Sequence, residues 1–358
     1  MSDPTPTTPR RGPSLIVIIL AAVVMMMIGT ATAYYVLVES PLQTRLANTN
    51  DLLIHLSGLQ NGMNHRLNPR YTDADGDLLA DAPTDPALLM DPPKLEFSYV
   101  PTADTSEYKA AFAELMAHIS KATGKPVEYF EAATTEDQLR ALRDGKLQIT
   151  TLNTGNVPVG VCEAGFIPVA GWGDESGSSK YQMEILVATN SPITTVNDLH
   201  GHELTLTDPG SNSGYKAPLV LLKSDFGLLP GRDFGIRYSG GHHQSISGLA
   251  GGMYEVIAVP NDVLKVEISQ AKIKPEQFRS IYKSESFPTA AIGYEYNLKP
   301  ELAGEIRAAI LDSDWKGTGM ETEFGPANQT RFVPVNYKDD WALVRRIDDG
   351  IGFAYQIP

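Results

Sequence analysis

The sequence predicts an α/β body of parallel sheets with helices on both faces. Two observations carry that prediction: strand-length apolar runs alternate with helix-length amphipathic stretches, and the alternation starts at Lys94 and runs almost to the C-terminus. A chain of 358 residues can hold two core-forming halves, since domains commonly span about 100 to 200 residues.

In order, Leu95 to Val100 alternates like a strand, Tyr108 to Lys121 places Phe112, Leu115, Met116 and Ile119 at helical spacing, and Val127 to Phe130 is a second strand. The pattern then repeats. Glu136 to Asp144 reads as a helix closed at Gly145, with strands at Leu147 to Leu152 and Gly165 to Gly171. After Tyr181 to Thr189 a second unit begins: strands at Leu204 to Thr207, Phe234 to Tyr238 and Val256 to Val259 alternate with helices at Lys216 to Lys223 and His243 to Gly251. Phe287 to Tyr294 reads as a strand leaving that unit, and Pro300 to Leu311 and Tyr337 to Ile351 as terminal helices.

Ahead of the body, residues 1–14 form a polar, Pro- and Thr-rich tail, and Leu15 to Val38 is an uncharged apolar run. As a helix those 24 residues would measure about 36 Å, enough for a hydrocarbon core of about 30 Å, and Arg10 and Arg11 would keep the tail in the cytoplasm. Ala31-Thr32-Ala33 also fits a signal-peptide cleavage site, but the apolar run continues beyond it, which favours an uncleaved anchor with the rest of the chain exported. Residues 39–93 read as a spacer, with an amphipathic stretch (Leu42 to Leu59) followed by a Pro- and Asp-rich segment. Within it Asp73-Ala74-Asp75-Gly76-Asp77 and Asp81 resemble a calcium loop. The glycine is misplaced for an EF-hand and position 12 is Thr84, so an acidic linker is the simpler reading, and no metal is assigned.

Basic residues number 29 against 43 acidic, a formal charge of −14, which argues against a nucleic-acid surface; any anion site must be local. The lone Cys162 excludes an internal disulfide and a cysteine metal cluster. No cofactor motif is present.

The candidate site is the stretch Asp208-Pro209-Gly210-Ser211-Asn212-Ser213-Gly214-Tyr215, between a strand and a helix. Small residues let the backbone turn tightly, and the free N–H groups of a helix start attract phosphate-like anions, although Ser211 or Ser213 capping an ordinary helix is the simpler explanation of the stretch alone. The centre of a nucleophile elbow would have to be serine and is Asn212, and no Gly-Lys-Ser/Thr completes a P-loop. Binding without catalysis leads; a Ser211, His242 and Asp262 triad has nothing to orient it.

With these residues in view, the body resembles the exported substrate-binding proteins of phosphonate, phosphite and phosphate ABC transporters. The resemblance rests on an ordered series: Asp144-Gly145-Lys146-Leu147-Gln148-Ile149, Ser191-Pro192-Ile193 with Asp198-Leu199-His200-Gly201, the 208–214 stretch, Ser239-Gly240-Gly241-His242, Gly252 to Ala258, Phe287-Pro288 and Phe332 to Val335. It implies the two-lobe type II periplasmic-binding-protein fold, with lobe one at 94–187 and 288–358, lobe two at 188–287, and crossing strands at Glu184 to Thr189 and Phe287 to Tyr294. It also implies ABC permease partners and no enzymatic activity.

Carried over by position, the family's phosphoryl-binding Ser-Thr-Ser becomes Ser211, Asn212 and Ser213, the family histidine becomes His242, with His243 a weaker candidate, and an acidic position falls on Asn261 and Asp262. Thr102, Asn153 and Thr154 stand at strand ends facing the same cleft. The family's aromatic walls fall on Thr135 or Glu136 and on Asn156 or Val157, and its other acid on Thr289 or Ala290, so both are missing here. Tyr99 and Tyr181 are possible replacement walls, with core packing the simpler use of each. A buried ammonium needs a compensating charge, so these losses favour a compact oxyanion over an aminoalkylphosphonate. A sensory or scaffold protein that keeps the fold without transport is the alternative function.

Overall fold

The computed structural model describes residues 25–26, 67–99, 105–178, 180–352 and 355–357. The chain divides into two compact units, Met1–Leu52 and Leu53–Pro358, and every element below belongs to the second. The expected tail, the stretch Leu42 to Leu59 and the apolar run Leu15 to Val38 lie outside the described residues, apart from helical Met25 and Met26. Among the described residues no helix is long and apolar enough to cross a membrane.

The first half runs through β1 (Leu95–Ser98), α1 (Thr105–Ala111), α2 (Ala113–Thr123), β2 (Val127–Tyr129), α3 (Thr135–Arg143), β3 (Ile149–Leu152), α4 (Val157–Ala164), β4 (Phe166–Asp174) and β5 (Gly177–Ser178). The second comprises β6 (Lys180–Ala188), β7 (Glu203–Leu206), α5 (Ala217–Phe226), β8 (Gly235–Tyr238), α6 (His242–Ala250), β9 (Val256–Pro260), α7 (Asn261–Ser269) and β10 (Phe278–Pro288). The chain then returns to the first half through β11 (Ala291–Glu295), α8 (Pro300–Leu311), α9 (Gly319–Phe324), β12 (Arg331–Pro334), α10 (Tyr337–Asp340) and α11 (Ala342–Ile351).

These strands form two sheets, ordered β12-β4-β11-β3-β1-β2 with β5 on β4, and β10-β6-β9-β7-β8. The expected parallel pairing holds within β2-β1-β3 and β9-β7-β8. It fails at the strands beside the crossings, where β11, β4 and β12 pair antiparallel with their neighbours, as do β6 and β10. The reason is the double crossing: a chain that leaves one sheet and comes back must reverse direction, so both sheets are mixed.

The expected crossing strands need correction. Lys180–Ala188 lies wholly in the second sheet, paired with Phe278–Pro288, so sheet membership changes before residue 180 and not near 187. The expected strand Phe287 to Tyr294 is broken: β10 ends at Pro288 and β11 begins at Ala291 in the other sheet. Pro288 cannot donate a ladder hydrogen bond, which suits a strand end.

Each half buries its own core. In the first, Phe97, Phe112, Trp172, Trp315 and Phe332 are all nearly or fully buried, and Trp315 meets Phe332 edge-on at 4.8 Å between ring centroids. In the second, Leu186, Ile246, Leu249, Ile257 and Val259 pack α6 and the central strands together. Aromatic and aliphatic burial on this scale supplies the main folding drive.

The second part of the expected spacer is packed onto the body. The Asn68 amide donates to the Cys162 carbonyl at 2.8 Å, the Met90 amide to Asn297 at 2.7 Å and the Lys299 amide to Met90 at 2.9 Å. Tyr71 is buried and meets Tyr296 edge-on. A few apolar anchors suffice because these backbone bonds satisfy the segment where it lies on β11 and α4.

Candidate functional site

Three neighbouring strands end at one place. Just past β7 comes the 208–216 loop, just past β8 comes His242 at the start of α6, and just past β9 come Asn261 and Asp262 at the start of α7. The crevice beyond the carboxyl ends of parallel strands is where open α/β sheets take ligands. From the first half, Asn153 and Thr154 follow β3 on the same principle.

The loop is wound by its own polar groups. Asp208 Oδ1 accepts from the Gly210 amide at 2.8 Å, the Ser211 amide donates to the Asp208 carbonyl, and the Thr207 amide donates to the Gly214 carbonyl at 2.9 Å. Ser211 is the N-cap of a short π-helical turn, Asn212–Lys216, and its Oγ accepts from the Gly214 amide at 3.1 Å. Ser211 is therefore a cap, as the simpler reading expects, but its Oγ also sits 3.4 Å from His242 Nε2. Glycine is required at 214, because a Cβ there would lie 2.0 Å from Thr207 Oγ1 and 2.9 Å from the His242 ring.

Around this loop three buried polar atoms lack a protein partner: Thr207 Oγ1, Asn212 Oδ1 and His242 Nδ1. Buried polar groups are nearly always satisfied, so three orphans gathered at one strand-end crevice make it the candidate place for a polar ligand. Burial, and then the neighbouring His243, pull the His242 imidazole down to about 4. At neutral pH it is uncharged and offers one N–H donor.

From the start of β6, in the same half, Tyr181 reaches the loop. Asn212 Nδ2 donates to the Tyr181 hydroxyl at 2.9 Å. Burial pushes that phenol up to about 12, against opposing hydrogen bonds from Thr154, Asn212 and Ser213, which places all four side chains together. Thr154 Oγ1 donates to the Pro288 carbonyl at 3.0 Å. The halves also touch backbone to backbone, since a Cβ on Gly155 would fall 2.3 Å from the Gly210 oxygen and 2.8 Å from the Asn212 nitrogen.

The remaining expected residues have other partners. Asn153 Oδ1 accepts from the Asn156 amide at 3.0 Å, and Asn261 Oδ1 accepts from the Gln182 amide at 3.1 Å, pinning β6. Asp262 accepts from the Val263 amide at 2.8 Å, and burial raises its carboxyl above the usual range. His243 pairs with Glu267 on α7. Thr102 lies outside the described residues. Tyr99 stacks on Tyr108, with centroids 4.4 Å apart, as core packing predicts. Sequence reasoning missed Thr207, the strand-end residue before the loop, and left Tyr181 to the core.

Asp73, Asp75 and Asp77 bring carboxylate oxygens within 4.8 Å of one another. Those carboxylates accept from amides of their own loop, Gly76 and Leu78 on Asp73, Asp77 on Asp75, and Leu79 on Asp77, so a turn accounts for the cluster.

Two lobes flanking a crevice of neutral polar groups have the build of a solute-binding receptor. The model of the periplasmic substrate-binding proteins of phosphonate ABC transporters matches residues 97–341, and the chain belongs to that family, which is one of binding proteins and not of enzymes. It is 25% identical over 226 residues, 60% of this chain and 70% of the relative, to the phosphate-import protein PhnD of Mycolicibacterium smegmatis. Its fold is similar to the binding-protein component of a Pseudomonas aeruginosa ABC phosphonate transporter (TM-score 0.61, 20% identity, 72% of this chain and 86% of that one). It is also similar to PhnD1 of Prochlorococcus marinus in complex with methylphosphonate (TM-score 0.60, 16% identity, 72% and 98%).

Proposed function

We propose that this receptor captures a compact phosphorus oxyanion, phosphate, phosphite or a small alkylphosphonate, and presents it to an ABC permease. The observation that carries the reading is the trio of orphaned atoms, Thr207 Oγ1, Asn212 Oδ1 and His242 Nδ1, at a helix start. Ser211, Ser213 and the backbone amides of the turn supply further donors, and Asn212 Oδ1 and Asp262 supply acceptors for a protonated ligand oxygen. Thr154 and Asn153 border the cleft from the first half. The relatives that import phosphate and bind methylphosphonate support the same ligand class. The missing ammonium partner at Thr289 and Ala290 argues against an aminoalkyl substituent.

Leu15 to Val38 serves in this reading as an uncleaved anchor that holds the receptor on the outer face of the cytoplasmic membrane. Calorimetry of the full-length protein in detergent with phosphate, phosphite and methylphosphonate is expected to give one-site binding. Ser211→Ala and Ser213→Ala are each expected to weaken it by about 1 to 3 kcal/mol, the usual loss when a buried acceptor loses its donor. Unchanged affinity in both variants would remove the loop from the site.

A further inference from the structure

We propose that Lys216 is a positioning residue for anion binding, and that with Asp348 it locks the two halves around the loop. The inference rests on the oxyanion reading above. Lys216 ends the π-helical turn that carries Asn212 and Ser213, and its side chain is fully buried. Its ammonium donates to the Gly155 carbonyl of the first half at 2.9 Å and lies 2.9 Å from Asp348 Oδ1, also fully buried, on α11. At that distance Asp348 Oδ1 is the charge partner of the ammonium.

Each contact joins separate parts of the molecule. Gly155 is the residue whose backbone abuts Gly210 and Asn212, so the lysine ties the mouth of the loop to the surface facing it. The C-terminal helix is itself moored to the first half: Trp341 Nε1 donates to the Thr154 carbonyl at 3.0 Å, and Arg143 donates to the Ile357 carbonyl at 3.3 Å. Between those moorings Tyr355 donates to Asp348 Oδ2 at 2.6 Å, and Gly350 packs so closely on α5 that a Cβ would stand 2.9 Å from Val220 Cγ1. A buried ammonium is tolerable only with its charge partner and acceptor in place. Gly155 belongs to the opposing half and Asp348 stands on a helix that touches both halves, so the contact to Gly155 is lost when the halves separate and remade when they join. The loop is thereby delivered to the cleft in one geometry, and release of an anion requires that the lock open first.

The test uses full-length protein in detergent. Lys216→Met alone leaves Asp348 buried and short of its cation and is expected to fold poorly. Lys216→Met combined with Asp348→Leu removes both charges and is expected to recover the melting temperature while releasing phosphate at least tenfold faster than wild type. Lys216→Arg is expected to restore part of the retention. A double variant with wild-type phosphate release overturns the proposal.

A second measurement separates failure of the lock from failure of the oxyanion reading. Spin labels on Glu301→Cys and Gln270→Cys, one exposed site on each half, report the distance between halves without ligand. A broader, longer distance distribution in the Lys216→Met, Asp348→Leu background supports the lock even where wild type binds no phosphate, and an unchanged distribution overturns it.

Discussion

Beside the end of β3, the Gln138 amide reaches from α3 to the Tyr99 carbonyl (2.9 Å), Thr150 Oγ1 (2.8 Å) and the Thr151 carbonyl (3.2 Å), while Thr150 Oγ1 donates to the Ser98 carbonyl. At the end of β7, in the other half, Thr207 Oγ1, Asn212 Oδ1 and His242 Nδ1 are equally buried and have no such partners. Both are strand-end polar clusters in a two-lobe fold, and the bonding differs in degree: Gln138 Oε1 is the one atom of the first cluster without a partner, against a hydroxyl, an amide oxygen and an imidazole nitrogen in the second. A nearly saturated cluster holds a fold together, and one with several open bonds is the better candidate for a ligand from outside.

Glu295 is the strongest challenge to that contrast, because it is an unsaturated group in the first half, 3% exposed, with Oε2 unpartnered. Burial pushes its carboxyl up to about 8 from a usual 4.5, so the fold holds it neutral where an unfolded chain would ionise it. A raised pKa in the folded state means that its stabilising contribution is complete below 4.5 and is lost as pH rises toward 8. Glu295→Gln should therefore flatten the pH dependence of melting, adding on the order of 3 kcal/mol at pH 8 relative to pH 5. A melting profile as steep as that of wild type would mean that the group has an unseen partner and that the contrast is weaker than drawn.

Gln138→Leu tests the saturated side. Stripping donors from several buried acceptors should cost about 2 to 3 kcal/mol in denaturant unfolding, with phosphate affinity of the folded protein unchanged. An affinity loss as large as the stability loss would merge the two clusters into one. Thr154→Val is the smallest probe. Its hydroxyl is committed to Pro288 near the second crossing, so about 1 kcal/mol of affinity is expected to go through loosened hinge geometry, read by calorimetry.

Much of this was legible in the sequence, and the exceptions have causes. β9 is buried along its whole length and reads as an unbroken apolar run, while β3, equally buried, is marked by its β-branched Ile149, Thr150 and Thr151. The helix α4 went unread because nearly every residue from Val157 to Ala164 is buried, which leaves no amphipathic stripe to detect. The edge strand β10 was half missed for the opposite reason: Arg279, Lys283 and Glu285 interrupt any apolar alternation, as charged residues commonly do on edges. At the site, Ser211 and His242 could be placed by motif and do come together, whereas the spending of Asn153 and Asn261 on backbone amides depends on register. No local pattern marks Lys216 as buried; its partner stands more than a hundred residues away on α11.

Residues 67–93 dock on one half of the body. Asn68 and Met90 fasten that segment to α4 and to the turn after β11, both in the first half. On the anchored reading proposed above, a pull on the chain ahead of residue 67 would reach this half first. The second half, which carries the serine loop, would then be the jaw left to swing.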